Sequence, residues 1–145
     1  VSSREFYSVH ARRSILSSPA DFAIGTLRTL DATAAAERLP KDLSRMGMDI
    51  LRPPSVKGWQ KGRAWLNSNT LLSRYRFANS LAGSTEKDPR IPWDKVKKEG
   101  AEGLLALFFP EGLDGKIRKT IFGETDNDLK LMVTALVELP EHQYI

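Results

Sequence analysis

Apolar residues recur three and four positions apart through most of the chain, and typical helix-boundary residues separate the runs. No window alternates apolar and polar residues for long enough to predict a strand. The pattern therefore predicts an all-α fold, an irregular orthogonal bundle of about six to seven short helices joined by a long Pro/Gly-rich loop. We expect one helical domain over residues 1–145, with a sub-division near 83–91 as the alternative.

The first third of the chain carries two helical patterns. Residues Ser3 to Arg13 can form a short amphipathic helix with aromatic residues on one side. Ser18 and Pro19 are typical of an N-cap and a first helical position, where the missing proline N–H has no effect. The helix that follows is expected to bury Phe22, Ala23, Thr26, Leu27 and Leu30.

A third helix is expected to begin near Ala32, with Pro40 interrupting or restarting it. Its apolar spacing continues to Ile50, and Pro53 forces the residue before it out of helical geometry, so the helix should end at Arg52. After the loop, Asn67 or Ser68 can cap a long helix. The predicted buried side of that helix comprises Leu71, Leu72, Tyr75, Ala78 and Leu81.

The last third predicts further short helices. One starts at Pro92, and the apolar run Ala101 to Phe109 stops at Pro110. Another spans Asp114 to Phe122 with Gly123 as its C-cap. Thr125 or Asp126 is then expected to cap a helix, and Leu139 and Pro140 start a last turn. The buried side of that capped helix should comprise Leu129, Met132, Val133, Leu136 and Val137.

Residues 52–77 combine basic and aromatic side chains around the Pro/Gly-rich loop, and no acidic residue lies between Asp49 and Glu86. Such a segment can hold single-stranded nucleic acid, phosphate or an acidic glycan. The favoured interpretation is structural, with Trp59 and Trp65 as core anchors and basic stems covering the rim. The basic residues are Arg52, Lys57, Lys61, Arg63, Arg74 and Arg76.

This loop and the start of the following helix form the candidate binding or structural site. The amides and hydroxyl at the helix start most simply cap free backbone N–H groups, although they could also line a pocket beside Trp59. The candidate residues are Pro53, Pro54, Lys57, Gly58, Trp59, Gly62, Arg63, Trp65, Asn67, Asn69 and Thr70.

No set of residues predicts catalysis, a cofactor or a metal. There is no cysteine, and the two histidines have no known ligand pattern around them. Glu138 and His142 share a helical face, but a solvated polar face near the chain end is the better interpretation. Asp126 and Asp128 resemble the start of a calcium loop that lacks its glycine and final glutamate, so acids at a helix start explain them better.

Charge is distributed unevenly along the chain. Residues 1–76 carry 13 basic and 6 acidic side chains, whereas residues 77–145 carry 9 and 12, for a total of +4. This asymmetry can hold the two halves together or attract an anionic partner. The total is modest for a nucleic-acid-binding domain, so nucleic acid is disfavoured as a partner. No apolar run approaches the roughly 20 residues of a membrane span.

Four short motifs stand out in this part of the chain, at Pro53–Trp59, Gly62–Asn67, Thr70–Leu72 and Arg74–Ala78. They are similar to P-P-N-V-x-G-W, G-R-x-W-[IL]-N, T-L-L and R-x-x-F-A stretches. These stretches are carried by members of a bacterial family known as domain of unknown function 1800, which the chain therefore resembles. The upstream segment Pro19–Leu30 and the ending Leu139–Tyr144 also resemble the family, the latter with Leu139 in place of serine and His142 in place of an aromatic residue.

The resemblance implies a mostly helical bacterial protein, with this chain as the C-terminal part of a longer one. Members are often exported and often encoded beside a sulfatase-like or phosphatase-like partner family. The family has no established activity, so the resemblance implies no catalytic residue.

Three functional hypotheses follow. The first is a non-catalytic helical interaction module whose partner is the remainder of its parent chain or another protein. The second is an accessory part of a hydrolase-type enzyme whose main site lies elsewhere, with Arg63 and Asn67 contributing to a shared cleft. The third is binding of an anion, glycan or nucleic acid through residues 52–77.

Overall fold

Helices make up nearly all the regular structure of the computed structural model, which describes Arg4, residues 14–85 and residues 90–145. The predicted helix over Ser3–Arg13 lies outside these ranges apart from Arg4. The all-α prediction is confirmed. The α-helices of the described residues are α1 (Pro19–Thr29), α2 (Leu39–Arg45), α3 (Ser68–Ala82), α4 (Trp93–Phe108), α5 (Gly115–Thr125) and α6 (Leu129–Glu138), and short 3₁₀ helices span Thr33–Arg38, Gly62–Trp65 and Pro140–Gln143.

Helix α1 begins where the sequence predicts it. The Ser18 hydroxyl accepts a hydrogen bond from the Asp21 backbone N–H, and the Asp21 carboxylate accepts one from the Ser18 N–H, both at 3.2 Å. This reciprocal capping box satisfies two N–H groups that have no partner within the helix. The predicted inner stripe is confirmed, since Phe22, Ala23, Thr26, Leu27 and Leu30 are all buried.

The third predicted helix is shorter than expected and has two parts. A 3₁₀ helix precedes Leu39, and α2 ends at Arg45 instead of Arg52. Gly47 adopts a φ of 88°, a left-handed conformation that glycine reaches without strain. The helix therefore ends well before Pro53, which is not its terminator, and Ile50 is exposed on the loop.

Helices α3 and α4 keep their predicted starts. Asn67 is the N-cap of α3, and Trp93 is the first residue of α4. Helix α4 is broken at Gly100, whose φ of 69° and ψ of −176° are not helical. The break separates the segment after Pro92 from the apolar segment that starts at Ala101, as the sequence predicts.

The boundary between α5 and α6 differs from the prediction. Gly123 lies inside α5, which continues to Thr125, and Asp126 and Asn127 then take left-handed conformations. The N-cap of α6 is Asp128, whose carboxylate accepts from the Lys130 N–H at 2.8 Å. Asp126 therefore ends one helix and does not cap the next.

Helix α6 lies at the centre of the core. It packs against α3, α4 and α5, and Met132, Val133, Leu136 and Val137 are all 0% exposed. One continuous cluster of buried apolar side chains joins these residues to α1, α2 and the rest of α3 and α4. Within the described ranges, no helix is both long and apolar enough to cross a membrane.

Candidate functional site

The Pro/Gly-rich loop between α2 and α3 is mostly exposed. Pro53, Pro54, Lys57, Gly62 and Arg63 all lie at the surface. Gly58 and Gly62 have φ values of 85° and 58°, so both bends use the left-handed conformation that glycine allows. The loop is therefore shaped by its glycines, and its basic residues Lys57, Lys61 and Arg63 are exposed.

The two tryptophans of this segment differ. Trp65 is 7% exposed, as an anchor should be, although it lies outside the continuous apolar cluster of the core. Trp59 is only half-buried. Its indole Nε1 is inaccessible and has no hydrogen-bond partner, which is unfavourable for a buried donor. The anchor role thus fits Trp65 better than Trp59.

Asn67 and Thr70 connect the buried tryptophan to helix α3. The Asn67 Oδ1 accepts from the backbone N–H groups of Asn69 and Thr70, both at 3.0 Å. The Thr70 hydroxyl accepts from the Asn67 N–H at 3.0 Å and donates to the Trp65 carbonyl at 2.9 Å. Capping is therefore the role of Asn67 and Thr70, while Asn69 contributes its backbone.

An open groove lies beside this segment, where the first half of α3 meets the end of α6 and the C-terminal turn. It has a volume of about 620 Å³. None of the eleven residues predicted from the sequence lines it. The residues that do are Leu66, Ser68, Leu71, Leu72, Arg74, Tyr75, Val137, Glu138, Pro140, Gln143 and Tyr144.

Three groove residues correct the prediction for α3. Leu71, Leu72 and Tyr75 were expected on the buried side, but they are 45%, 45% and 51% exposed. Ala78 and Leu81 are buried as predicted, and the side that packs against the core also comprises Thr70, Arg74, Phe77 and Ala82. The helix thus has two apolar stripes, and the core covers the one that contains an arginine.

The C-terminal edge of the groove is fixed by backbone pairing. The Ser17 N–H donates to the Gln143 carbonyl and the Ile145 N–H donates to the Ile15 carbonyl, both at 2.8 Å. Tyr144 stands between these bonds and is 39% exposed. The pairing therefore positions its ring at the groove without covering it.

Arg74, one of the basic residues whose stems are expected to cover the rim, is buried instead. It is 2% exposed, and its Nη1 and Nη2 donate to the Gln143 Oε1 and the Ser17 carbonyl, each at 2.8 Å. Its guanidinium carbon lies 4.7 Å from the centre of the Phe22 ring, a cation–π distance. Burial lowers the pKa of Arg74 to about 10, so the side chain is still charged at neutral pH.

Glu138 is the other charged residue of the groove. Its carboxylate accepts a hydrogen bond from the Asn79 Nδ2 at 3.1 Å. Burial raises the pKa of Glu138, and the bond from Asn79 partly opposes that effect. No ion pair within 4.0 Å is formed by Arg74 or Glu138 with any described residue.

The C-terminal histidine is packed among aromatic rings. The ring of His142 lies 5.2–6.3 Å, between centroids, from those of Phe22, Phe108 and Phe109. Its Nε2 is 3.0 Å from the Thr26 hydroxyl. The expected solvated polar face is therefore wrong for His142. In the part of the chain that the structure describes, no group of three or more potential ligands could hold a metal ion.

The helical spacing of the sequence indicates that Arg74 is buried, although its charge argues against burial. Positions 70, 74, 77, 78 and 81 follow the spacing of a core-facing stripe, with an arginine in the second place. Because charged residues are rarely buried, composition favours the neighbouring stripe of Leu71, Leu72 and Tyr75 as the core-facing side. The prediction therefore assigns groove-lining residues to the core.

Comparison with known proteins gives a family but no activity. A family model described as "Protein of unknown function (DUF1800)" matches residues 1–144. Neither the curated proteins nor the solved structures contain a significant match. The match extends over nearly the whole chain, and the chain therefore belongs to the DUF1800 family.

Proposed function

We propose that this chain is a helical interaction module whose groove docks a segment of another polypeptide, either from the remainder of its parent chain or from a second protein. The observation that carries the proposal is the apolar surface formed by Leu71, Leu72 and Tyr75. Contiguous exposed apolar side chains are typical of interaction sites, and tyrosine is enriched at such interfaces.

The shape of the groove supports a peptide-like occupant. Leu72 and Tyr75 on α3 line the same groove as Pro140 and Tyr144 of the C-terminal turn that follows α6. A groove with two walls and a volume of about 620 Å³ can accept several side chains of a helical or extended segment. Helices α3 and α6 also pack against each other and into the apolar core, so little ordering of the groove should be needed on binding.

The other two hypotheses receive less support. For the accessory-enzyme role, the Asn67 side chain is already used by the α3 cap, and Arg63 lies at the surface outside the groove. For nucleic-acid or glycan binding, two of the four aromatic residues that could stack, Trp65 and Phe77, are buried. Trp59 is half-buried, and Tyr75 stands among leucines in the groove.

Site-specific photo-crosslinking tests the proposal. A photo-reactive amino acid placed at Leu72 should cross-link, in cells that make the protein at native levels, to a defined polypeptide segment identified by mass spectrometry. The matched control is Leu131, which is 53% exposed on α6 but does not line the groove. Position 131 should not yield the same product.

A second-site change sharpens the result. Replacing Tyr75 by serine removes apolar area from the groove and should reduce the cross-link from position 72 without unfolding the protein. Equal products from positions 72 and 131, or none from position 72, would remove the groove as the docking site.

A further inference from the structure

Glu138 is a negative charge that the groove leaves open to a partner. It lies at the end of α6, and its Oε1 accepts a hydrogen bond from the Asn79 Nδ2 at 3.1 Å. The other oxygen, Oε2, has no hydrogen-bond partner among the described residues and is not closed off from solvent. No described cation lies within 4.0 Å of this carboxylate. The groove therefore offers an acceptor that a docked group can reach.

The positive charge of the groove is not available in this way. Arg74 is 2% exposed, and its Nη1 and Nη2 already donate to Gln143 and Ser17. It also forms no ion pair with Glu138 within 4.0 Å. Among the described lining residues, Glu138 is thus the charged group that a partner can contact.

Asn79 holds the carboxylate beside the apolar surface of the groove. Its Nδ2 donates to the Tyr75 carbonyl at 3.0 Å as well as to Glu138, so one side chain bridges α3 and α6. Asn79 follows Tyr75 by one helical turn on the same face of α3. A segment whose apolar side chains contact Leu72 and Tyr75 can therefore place its next side chain against Glu138.

The surroundings of Glu138 favour a cation over a neutral group. Burial raises the pKa of Glu138, and the bond from Asn79 opposes this effect only in part. The carboxylate has therefore lost some of its hydration without gaining a counter-charge from any described residue. A charged donor forms a stronger hydrogen bond to a carboxylate than a neutral donor does, and it also supplies the missing charge.

We infer that the segment docked in the groove carries a lysine or arginine, next to apolar residues, whose side chain pairs with the accessible carboxylate of Glu138. This inference rests on the proposed docking function and adds the chemistry of the partner. A long basic side chain suits the position, because its aliphatic stem can pack on the exposed ring of Tyr75 while its charged end reaches Glu138.

Two matched peptides test the inference on the unaltered protein. The probes are acetyl-Leu-Phe-Arg-Leu-amide and the same peptide with citrulline, a neutral residue of the same shape, in place of arginine. Binding is followed by NMR signals from Leu71, Leu72 and Tyr75. The arginine peptide should bind about fivefold more tightly, because the ion pair is partly shielded from water. The carboxyl signal of Glu138 should move more with the arginine peptide than with the citrulline peptide.

Two variants locate the effect. Glu138→Gln keeps an acceptor for Asn79 but removes the charge, so the two peptides should then bind about equally. The control Glu124→Gln removes the same charge from an exposed position on α5 outside the groove and should keep the preference. Near-ultraviolet circular dichroism checks that both variants are folded, and the peptide pair on the unaltered protein remains decisive if one is not.

The peptide results separate the two proposals. Equal binding of both peptides at the groove signals would overturn the cation inference and leave the docking function intact. A full preference retained in a folded Glu138→Gln variant would also overturn it, because the arginine would then pair elsewhere. No groove shift with either peptide would overturn the inference, and it would overturn the docking function only if position 72 also gave no cross-link.

The segment cross-linked from position 72 provides an independent check. It should contain a lysine or arginine among its apolar residues. A cross-linked segment that lacks a basic residue would contradict the inference. A cross-link between two copies of this chain would assign the groove to self-association and would also contradict it.

Discussion

Helices α6 and α3 pack against each other, yet the core uses them differently. Helix α6 is covered by α3, α4 and α5, and its central apolar residues are completely inaccessible. Helix α3 is covered on one side and leaves a stripe of leucines and a tyrosine open. An apolar stripe therefore marks a surface that avoids water, and only the positions of neighbouring helices decide whether that surface is core or groove.

The largest expected effect concerns the anchor at the start of α3. Trp65→Ala should lower the free energy of unfolding by about 3–5 kcal/mol, because the substitution leaves a large cavity in a buried site. Trp59→Ala, at a half-buried position of the same loop, should lower it by clearly less. Urea denaturation of both variants measures the difference, and equal losses would contradict the distinction between the two tryptophans.

Leu136→Ala tests the core role of α6. The residue is 0% exposed in the centre of the core, so truncation should lower the free energy of unfolding by about 2–5 kcal/mol. The same urea titration provides the value. A loss below about 1 kcal/mol would mean that α6 is not packed as tightly as its burial indicates.

Asn67→Ala tests how the loop is joined to α3. The side chain accepts from two backbone N–H groups, and its loss should lower the free energy of unfolding by about 1 kcal/mol. Asn69→Ala is the matched control, because Asn69 contributes only its backbone to the cap, and it should have a smaller effect. Thermal unfolding followed by circular dichroism compares the two, and the reverse order would contradict the observed cap.

Glu138 gives a smaller, pH-dependent effect. Its pKa is raised in the folded protein, so the folded state binds more protons than the unfolded state at pH values just above 4.5. The contribution of Glu138 to stability therefore falls as pH rises through that range. Glu138→Gln should be more stable relative to the unaltered protein at neutral pH than below pH 4.5. The opposite trend in urea titrations would show that its carboxylate is stabilised by a partner.

The parts of the fold that could be predicted depend on local chemistry. Ser18 with Pro19 and Asn67 with Thr70 satisfy their own helix starts, so the sequence near them is sufficient. Four residues of the predicted buried face of α6, Met132, Val133, Leu136 and Val137, are buried because their helical spacing is regular, whereas Leu129 at the first turn is only partly buried. In contrast, the end of α2 was misplaced because Pro53 was taken as the terminator, although Gly47 had already ended the helix.

The groove could not be predicted, because it depends on contacts between distant parts of the chain. Arg74 becomes buried only when Ser17 and Gln143 meet above α3, and they are separated by most of the sequence. Leu71 and Leu72 satisfy helical spacing as well as any core residue does. No local pattern shows that α6 and the C-terminal turn stop short of covering them.

The exposed surface of α3 is tested most directly by comparing Leu72 and Leu81, which lie on this helix and are 45% and 2% exposed. The free energy of unfolding should change by no more than about 0.5 kcal/mol in Leu72→Ala, but it should fall by about 2–5 kcal/mol in Leu81→Ala. Equal losses in the two variants would mean that the groove side of α3 belongs to the core, and the docking surface would not exist.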